Sequence, residues 1–477
     1  MLAQLTNRIR RSYWVGVLLL CASLSSILPL RAAEYSIDST YTLQGRFSDN
    51  YRLVENPSSD TDELTGADFL SRWAFARAVD RSTLGLNIET DSGAYNLDEF
   101  NTFDYRGTAR YSRQSERNQW NVYAGYNKDS TRISEESETG SGLFEVSDKR
   151  VESISGGGGW FGQLTERNSI NVSVSAISQD YDTNRLSDYD YTSGNALWQY
   201  VVGPRLRLQT RAGYSLYESD DSFVVRNPNR NDPTALGFGN QNIIVQLFAL
   251  NEIESSCASK ALNDTHVFIL NLAAVFDCTK TLTQDIEQQT YSLQLGFVYL
   301  FTERLSLDAL VGQSQTDTQV TRSYSNNNSQ ATDTVAGEVR DSDSDNLTFD
   351  VSLDYDADTL QYRLNATTRE SANSVGTATL NTTASFDVSW DFSERSRYLA
   401  ELKWIDQESI DDNDDAFLDR ERIRLRLNYR YRLSEYWSVS AEYRRNEREQ
   451  AVNDFTARSD EAFLTLTWQP SRVQWSR

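Results

Sequence analysis

Residues 420–445 read RERIRLRLNYRYRLSEYWSVSAEYRR, and they decide the fold. Ile423, Leu425, Leu427, Tyr429 and Tyr431 alternate with Arg422, Arg424, Arg426, Asn428, Arg430 and Arg432. Beyond Ser434–Tyr436 the alternation resumes through Trp437, Val439, Ala441 and Tyr443. A period of two puts successive side chains on opposite faces of a strand, so this stretch is a hairpin with one apolar and one cationic face. Working outward, the same texture recurs in Tyr41–Phe47, Trp120–Tyr126, Ile170–Ala176, Leu206–Leu216, Tyr291–Tyr299, Leu347–Tyr355 and Leu380–Trp390. Most such runs extend over roughly 10–14 residues, against about 5–6 for an ordinary globular strand. They match the ~9–11 residues that a tilted strand needs to cross a bilayer.

The connections alternate in length. Short turns fall near Val79–Ser82, Ser115–Asn118, Leu164–Asn168, Val202–Arg205, Thr302–Arg304, Asp356–Asp358, Ser393–Ser396 and Ser434–Tyr436. Longer acidic, Ser/Asn-rich segments lie between them, among them Asp49–Leu64, Lys128–Asp148, Thr316–Asp343 and Asp406–Asp419. The short turns share a hydroxyl followed by Glu, at Ser115, Thr165, Thr302, Ser393 and Ser434, which suits a tight polar turn. This pattern predicts an all-β fold, a transmembrane antiparallel up-and-down β-barrel of 18 strands, with short periplasmic turns and long extracellular loops. Trp120, Trp160, Trp198, Trp390, Trp437 and Trp468 fall at or near the short-turn ends, where an aromatic girdle belongs.

Composition narrows the function classes. The 477 residues carry 46 Lys+Arg against 69 Asp+Glu, a net charge of −23, which argues against nucleic acid as a partner. Only 39% of residues are hydrophobic, and no stretch beyond the N-terminus supplies the ~20 apolar residues of a membrane helix. A 12% aromatic content is too high for a disordered chain. His266, the only histidine, has Asp264 nearby but no nucleophile motif, so no catalytic residue, cofactor or metal centre is expected. Gly156–Gly159 sits within a strand pattern, not at a strand-to-helix turn, and reads as room for close packing rather than a phosphate loop.

Arg8, Arg10 and Arg11, the apolar stretch Tyr13–Leu30, and Ala32-Ala33 have the order of a secretory signal, giving a signal peptide over 1–33 and a barrel over 34–469. Residues 470–477 read as a periplasmic tail. An exported chain with Cys257 and Cys278 most simply pairs them, closing a loop that contributes about 3 kcal/mol. A free or metal-bound pair is the alternative. Residues 218–287 around them read as a loop or plug insert. The apolar runs Ile243–Leu250 and Val267–Phe276 keep two further strands, and hence a count of 20, open.

With the apolar phase facing lipid, the other phase faces the lumen. It supplies Arg422, Arg424, Arg426, Arg430 and Arg432, with Lys403 and Arg444 on neighbouring strands and Arg205, Arg207 and Arg211 elsewhere. Glu401, Glu442, Asp350, Asp354 and Asp387 supply acid. The arrangement reads either as an ion-pair network bracing the wall or as a track that attracts anionic solutes. Asp341, Asp343 and Asp345, and the cluster Asp411, Asp412, Asp414 and Asp415, read as solvated loop charge or as sites of divalent-ion bridging to lipopolysaccharide; the first run lacks the glycine and glutamate of a calcium loop.

Long Tyr/Arg-rich strands joined by Ser/Thr-Glu-Arg turns behind a Sec-type signal resemble the outer-membrane barrel proteins associated with bacterial exopolysaccharide and PEP-CTERM gene clusters. The resemblance spans most of residues 35–469. It implies a bacterial outer-membrane location, a part in exopolysaccharide export or assembly, and acidic polysaccharide and periplasmic export components as partners beside outer-membrane lipid and lipopolysaccharide. The residues alone leave two rivals: a general diffusion porin with mild anion preference, and a closed structural or receptor barrel that binds an external partner.

Overall fold

The computed structural model describes residues 33–53, 57, 63–130, 150–182, 187–226, 279–326, 334–372, 378–409, 420–450 and 455–476. The signal stretch, Cys257, Cys278, His266, and the cluster Asp411–Asp415 lie outside the described residues. The strands are β1 (Glu34–Ser48), β2 (Leu64–Val79), β3 (Ser82–Tyr95), β4 (Thr102–Gln114), β5 (Asn118–Ser130), β6 (Arg150–Gln163), β7 (Asn168–Tyr181), β8 (Tyr189–Val201) and β9 (Leu206–Arg226). They continue as β10 (Thr279–Leu300), β11 (Leu305–Asn326), β12 (Thr334–Asp356), β13 (Leu360–Ala372), β14 (Ala378–Ser393), β15 (Ser396–Ser409), β16 (Arg420–Arg432), β17 (Trp437–Gln450), β18 (Phe455–Trp468) and the short β19 (Val473–Ser476). Each of the first 18 pairs antiparallel with its sequence neighbours, and β1 pairs with β18 from Tyr41↔Trp468 to Ser48↔Glu461, closing the barrel.

Outward-facing Leu295, Leu347 and Leu464 each stand more than 60% exposed, and Leu43, Trp73, Ile88, Val174, Leu293 and Leu402 share that face. On a soluble protein such a surface would aggregate; wrapped around a closed barrel it is a lipid-facing belt. An even set of crossing strands, short turns at one end and this belt together define a bacterial outer-membrane barrel. The turn motif has a structural cause. Thr165, Thr302, Ser393 and Ser434 each accept backbone N–H bonds from the residues two and three positions on, at 3.0–3.3 Å, and Ser115 accepts one from Asn118 at 3.1 Å. The hydroxyl thus replaces a backbone acceptor inside the turn.

Three boundaries differ from the sequence reading. β9 and β10 pair directly from Leu206↔Tyr299 out to Arg226↔Thr279, so no further strand stands between them and the 20-strand count is excluded. The strands adjoining that connection run into the expected insert because their outer halves, such as Thr279–Gln289, are polar except for Leu282 and Ile286, too few apolar residues to show the alternation. Asp341, Asp343 and Asp345 likewise lie on β12, not in a loop; alternate residues of a strand sit about 7 Å apart, too far for a calcium loop's convergence. Finally, residues 473–476 are no free tail: β19 pairs with Glu34–Ile37 of β1, and Trp475 stacks on Tyr35 with centroids 5.4 Å apart.

The glycine run Gly156–Gly159 lies within β6, where a Cβ on Gly157 would come 2.6 Å from the Val174 carbonyl oxygen and 2.8 Å from the Tyr123 ring. Among the described glycines the tightest position is Gly312 on β11, whose Cβ would meet the Leu293 carbonyl oxygen at 1.8 Å. Gly312→Ala is expected to destabilise the barrel by about 1–3 kcal/mol. Unfolding in detergent measures it; an unchanged midpoint would mean that β10 and β11 separate freely.

Candidate functional site

The inner face of β16 carries Arg422, Arg424, Arg426, Arg430 and Arg432 in one row, because the pairings Glu401↔Arg426 and Lys403↔Arg424 hold β15 in phase with it. On the other side Arg426↔Arg444 and Asn428↔Glu442 fix β17. Glu442 is the hub. It accepts bonds from Arg426 at 2.9 Å, Asn428 at 2.9 Å and Arg444 at 2.5 Å, while Glu401 lies 3.9 Å from Arg426. Arg422 and Arg424 both reach the Asn446 side-chain oxygen, at 3.4 and 3.2 Å. The middle of the row is therefore braced by neighbours, as the network reading expects.

Its short-turn end is different. Arg430 and Arg432 have no carboxylate partner among the described residues. They line a cavity of about 520 Å³ with Arg397, Arg472, Asp38 and Asp391. In that cavity Arg397 holds Asp391 through two bonds of 2.6 and 2.8 Å, and Arg472 stands 3.3 Å from Asp38. Those two carboxylates are already engaged. The turn residues Glu394 and Glu435 also line the cavity, but they stand against Arg395, Arg397, Arg430, Arg432 and Arg472, which leaves the β16 end a net cationic setting for an anion from the lumen. A second wall cavity of about 640 Å³ brings Arg426 near Asp354, Asp387 and Glu401.

The remaining expected lumen residues separate. Arg211 projects inward and bonds Asp350 at 2.9 Å. Arg207 lies on the same face of β9, opposite Val298. Arg205 precedes β9 in the turn and is exposed there, so it is not part of the wall. The six expected tryptophans face outward near the short turns: Trp120 lies 5.8 Å from Trp160, Trp437 6.0 Å from Trp468, and Trp198 and Trp390 pack on Tyr200 and Phe392 at 6.1 and 5.2 Å.

Sequence reading missed the most buried ion pair among the described residues. Arg46 of β1 bonds Glu461 of β18 at 2.8 Å, with side chains 5% and 3% exposed. Its guanidinium lies over the rings of Tyr51 and Phe463 at 4.9 and 5.2 Å, and Arg444 approaches the same Phe463 ring at 4.5 Å. Both Arg46 and Glu461 occupy the inward phase of their strands, which was the available signal; the seam that joins them was not.

No protein-family model matches the sequence, and no curated protein matches it. Solved structures similar to the fold include the ferric yersiniabactin uptake receptor FyuA of Yersinia pestis, at 10% identity and a TM-score of 0.43. That match covers 87% of this chain, which spans only 62% of the receptor's length. OpdL of Pseudomonas aeruginosa is similar at 9% identity and a TM-score of 0.39, covering 93% of this chain and 99% of that one. OpdK of the same organism, solved with vanillate, gives 7% identity and a TM-score of 0.40 over 92% and 99%.

Proposed function

We propose that the barrel is an anion-attracting outer-membrane channel and that acidic exopolysaccharide is the solute it exports. The observation that carries this reading is the cationic row of β16 ending in Arg430 and Arg432 at the short-turn cavity, where an exported polymer would enter. A guanidinium presents a planar fork that matches a carboxylate, and its charge persists at any physiological pH. Successive uronate groups of an extended polymer would meet this pair first and then the partly neutralised row above it. The resemblance to exopolysaccharide-associated barrels supports the choice of solute. The bracing of Arg426 and Arg444 by Glu442 favours a second reading, a general porin with mild anion preference.

Planar-bilayer conductance separates the two. Export predicts an anion-preferring channel whose current is blocked from the periplasmic side by an acidic polysaccharide. The double variant Arg430→Ala/Arg432→Ala is expected to weaken that block by roughly tenfold while leaving the open current nearly unchanged. An open channel indifferent to the polymer assigns the porin, and silence assigns a closed barrel.

A further inference from the structure

β12 and β13 part above the pair Phe349↔Thr368. β12 continues outward paired only with β11, whereas β13 continues with β14 through Arg369↔Asn381 and Glu370↔Leu380. Had β13 stayed in the wall, the register would set Glu370 opposite Leu347 on the lipid face. Instead its carboxylate accepts bonds from the hydroxyls of Thr290 at 2.6 Å, Ser314 at 2.7 Å and Thr316, and from the Asn346 amide at 3.3 Å. Those four side chains sit on the inner faces of β10, β11 and β12. The outer ends of β13 and β14 have therefore left the wall and lie across the inside of three neighbouring strands. Arg369, on the phase that Arg363 already presents to the lumen, is carried inward with the strand. Arg369 is exposed there, has no carboxylate partner among the described residues, and stands near enough to Tyr191 on β8 for its charge to act on that hydroxyl.

We propose that these strand ends form an arm reaching across the lumen, on which Arg369 is the specificity-determining charge for permeating ions and Glu370 is the positioning residue. The inference rests on the channel reading above. A carboxylate held by several hydroxyl donors forms charge-assisted bonds, each stronger than a neutral one, so the arm is fastened at one point next to the residue it presents. Fixing a single guanidinium in a confined passage sets ion preference in a way that a mobile one does not.

Reversal potentials in a KCl gradient test it. Arg369→Glu is expected to shift the chloride-to-potassium permeability ratio roughly threefold toward potassium. In a Glu370→Ala background the same change is expected to have less than half that effect, because the arm no longer holds position 369; Glu370→Gln, which keeps an acceptor, restores part of it. No shift in the first variant, or equal shifts in both backgrounds, overturns the proposal. If the protein passes no current, the channel reading falls, and the arm is judged by cross-linking. With Cys257 and Cys278 changed to Ser, Arg369→Cys and Tyr191→Cys, which leave the Glu370 anchor intact, are treated with a flexible bifunctional thiol reagent in outer-membrane preparations. Joining that is lost when Glu370→Ala is added confirms the arm; failure to join with Glu370 in place, or equal joining without it, overturns it.

Discussion

Removing residues 470–477 is expected to abolish most folded protein, lowering the compact, heat-modifiable gel band from outer membranes at least tenfold. β18 pairs with β1 only from Tyr41 to Ser48, and the lower end of β1 takes its partner from β19, from Ile37↔Val473 to Glu34↔Ser476. Without β19 the N–H and C=O groups of that edge face the membrane boundary unpaired. Each unsatisfied backbone group there costs several kcal/mol. The deletion also removes the Arg472 bond to Ser36 at 2.6 Å and the Trp475–Tyr35 stack. The substitution pair Val473→Thr/Trp475→Thr separates the two effects. It keeps the strand pairing and should retain far more folded protein than the deletion. Wild-type band intensity in the deletion would show that the closure above Tyr41 suffices.

Breaking the buried pair at the seam is the second large effect. Arg46→Met leaves the Glu461 carboxylate, 3% exposed, without its guanidinium, and a loss of about 3–5 kcal/mol is expected. The change also removes a cation from the Tyr51 and Phe463 rings. The double variant Arg46→Met/Glu461→Met removes both charges and fills the space with apolar volume, so it should recover at least half of the loss. Thermal unfolding in detergent gives both values. A double variant no better than the single would show that the ring contacts, rather than the charge left behind, dominate.

Much of the fold was legible because lipid on one side and lumen on the other impose a strict period of two. Ile423–Tyr431 shows it without a break, and the Ser/Thr-Glu motif at Ser115, Thr165, Thr302, Ser393 and Ser434 marked short turns between strands. Legibility failed where that two-sided constraint lapses. The outer halves of β9 to β12 rise beyond the lipid belt, where residues such as Thr281, Gln284 and Thr318 suit either face, so strand looked like loop. β19 is only four residues long and follows Pro470, too short to show any period.

The candidate site was legible by phase but not by partner. The arginine row of β16 could be read from its own strand. That Arg211 meets Asp350, or Arg46 meets Glu461, depends on registers between strands 139 and 415 residues apart in sequence. The inward turn of Glu370 was hidden for another reason: its phase assigned it to the lipid face until the strand left the wall.

The extra height of β9 to β12, 21–23 residues against 13–16 in the other strands from β1 to β18, ties the outer end of the molecule to its ionic surroundings. On the outward face Glu218 stands directly opposite Glu287, and Asp317 opposite Asp343. Like charges facing across a ladder weaken it. Screening acts over about 8 Å at physiological ionic strength but about 30 Å in dilute buffer. The crown of tall strands is thus held together partly by the medium, tightening in salt and loosening in fresh water while the lipid-embedded wall beneath it stays the same.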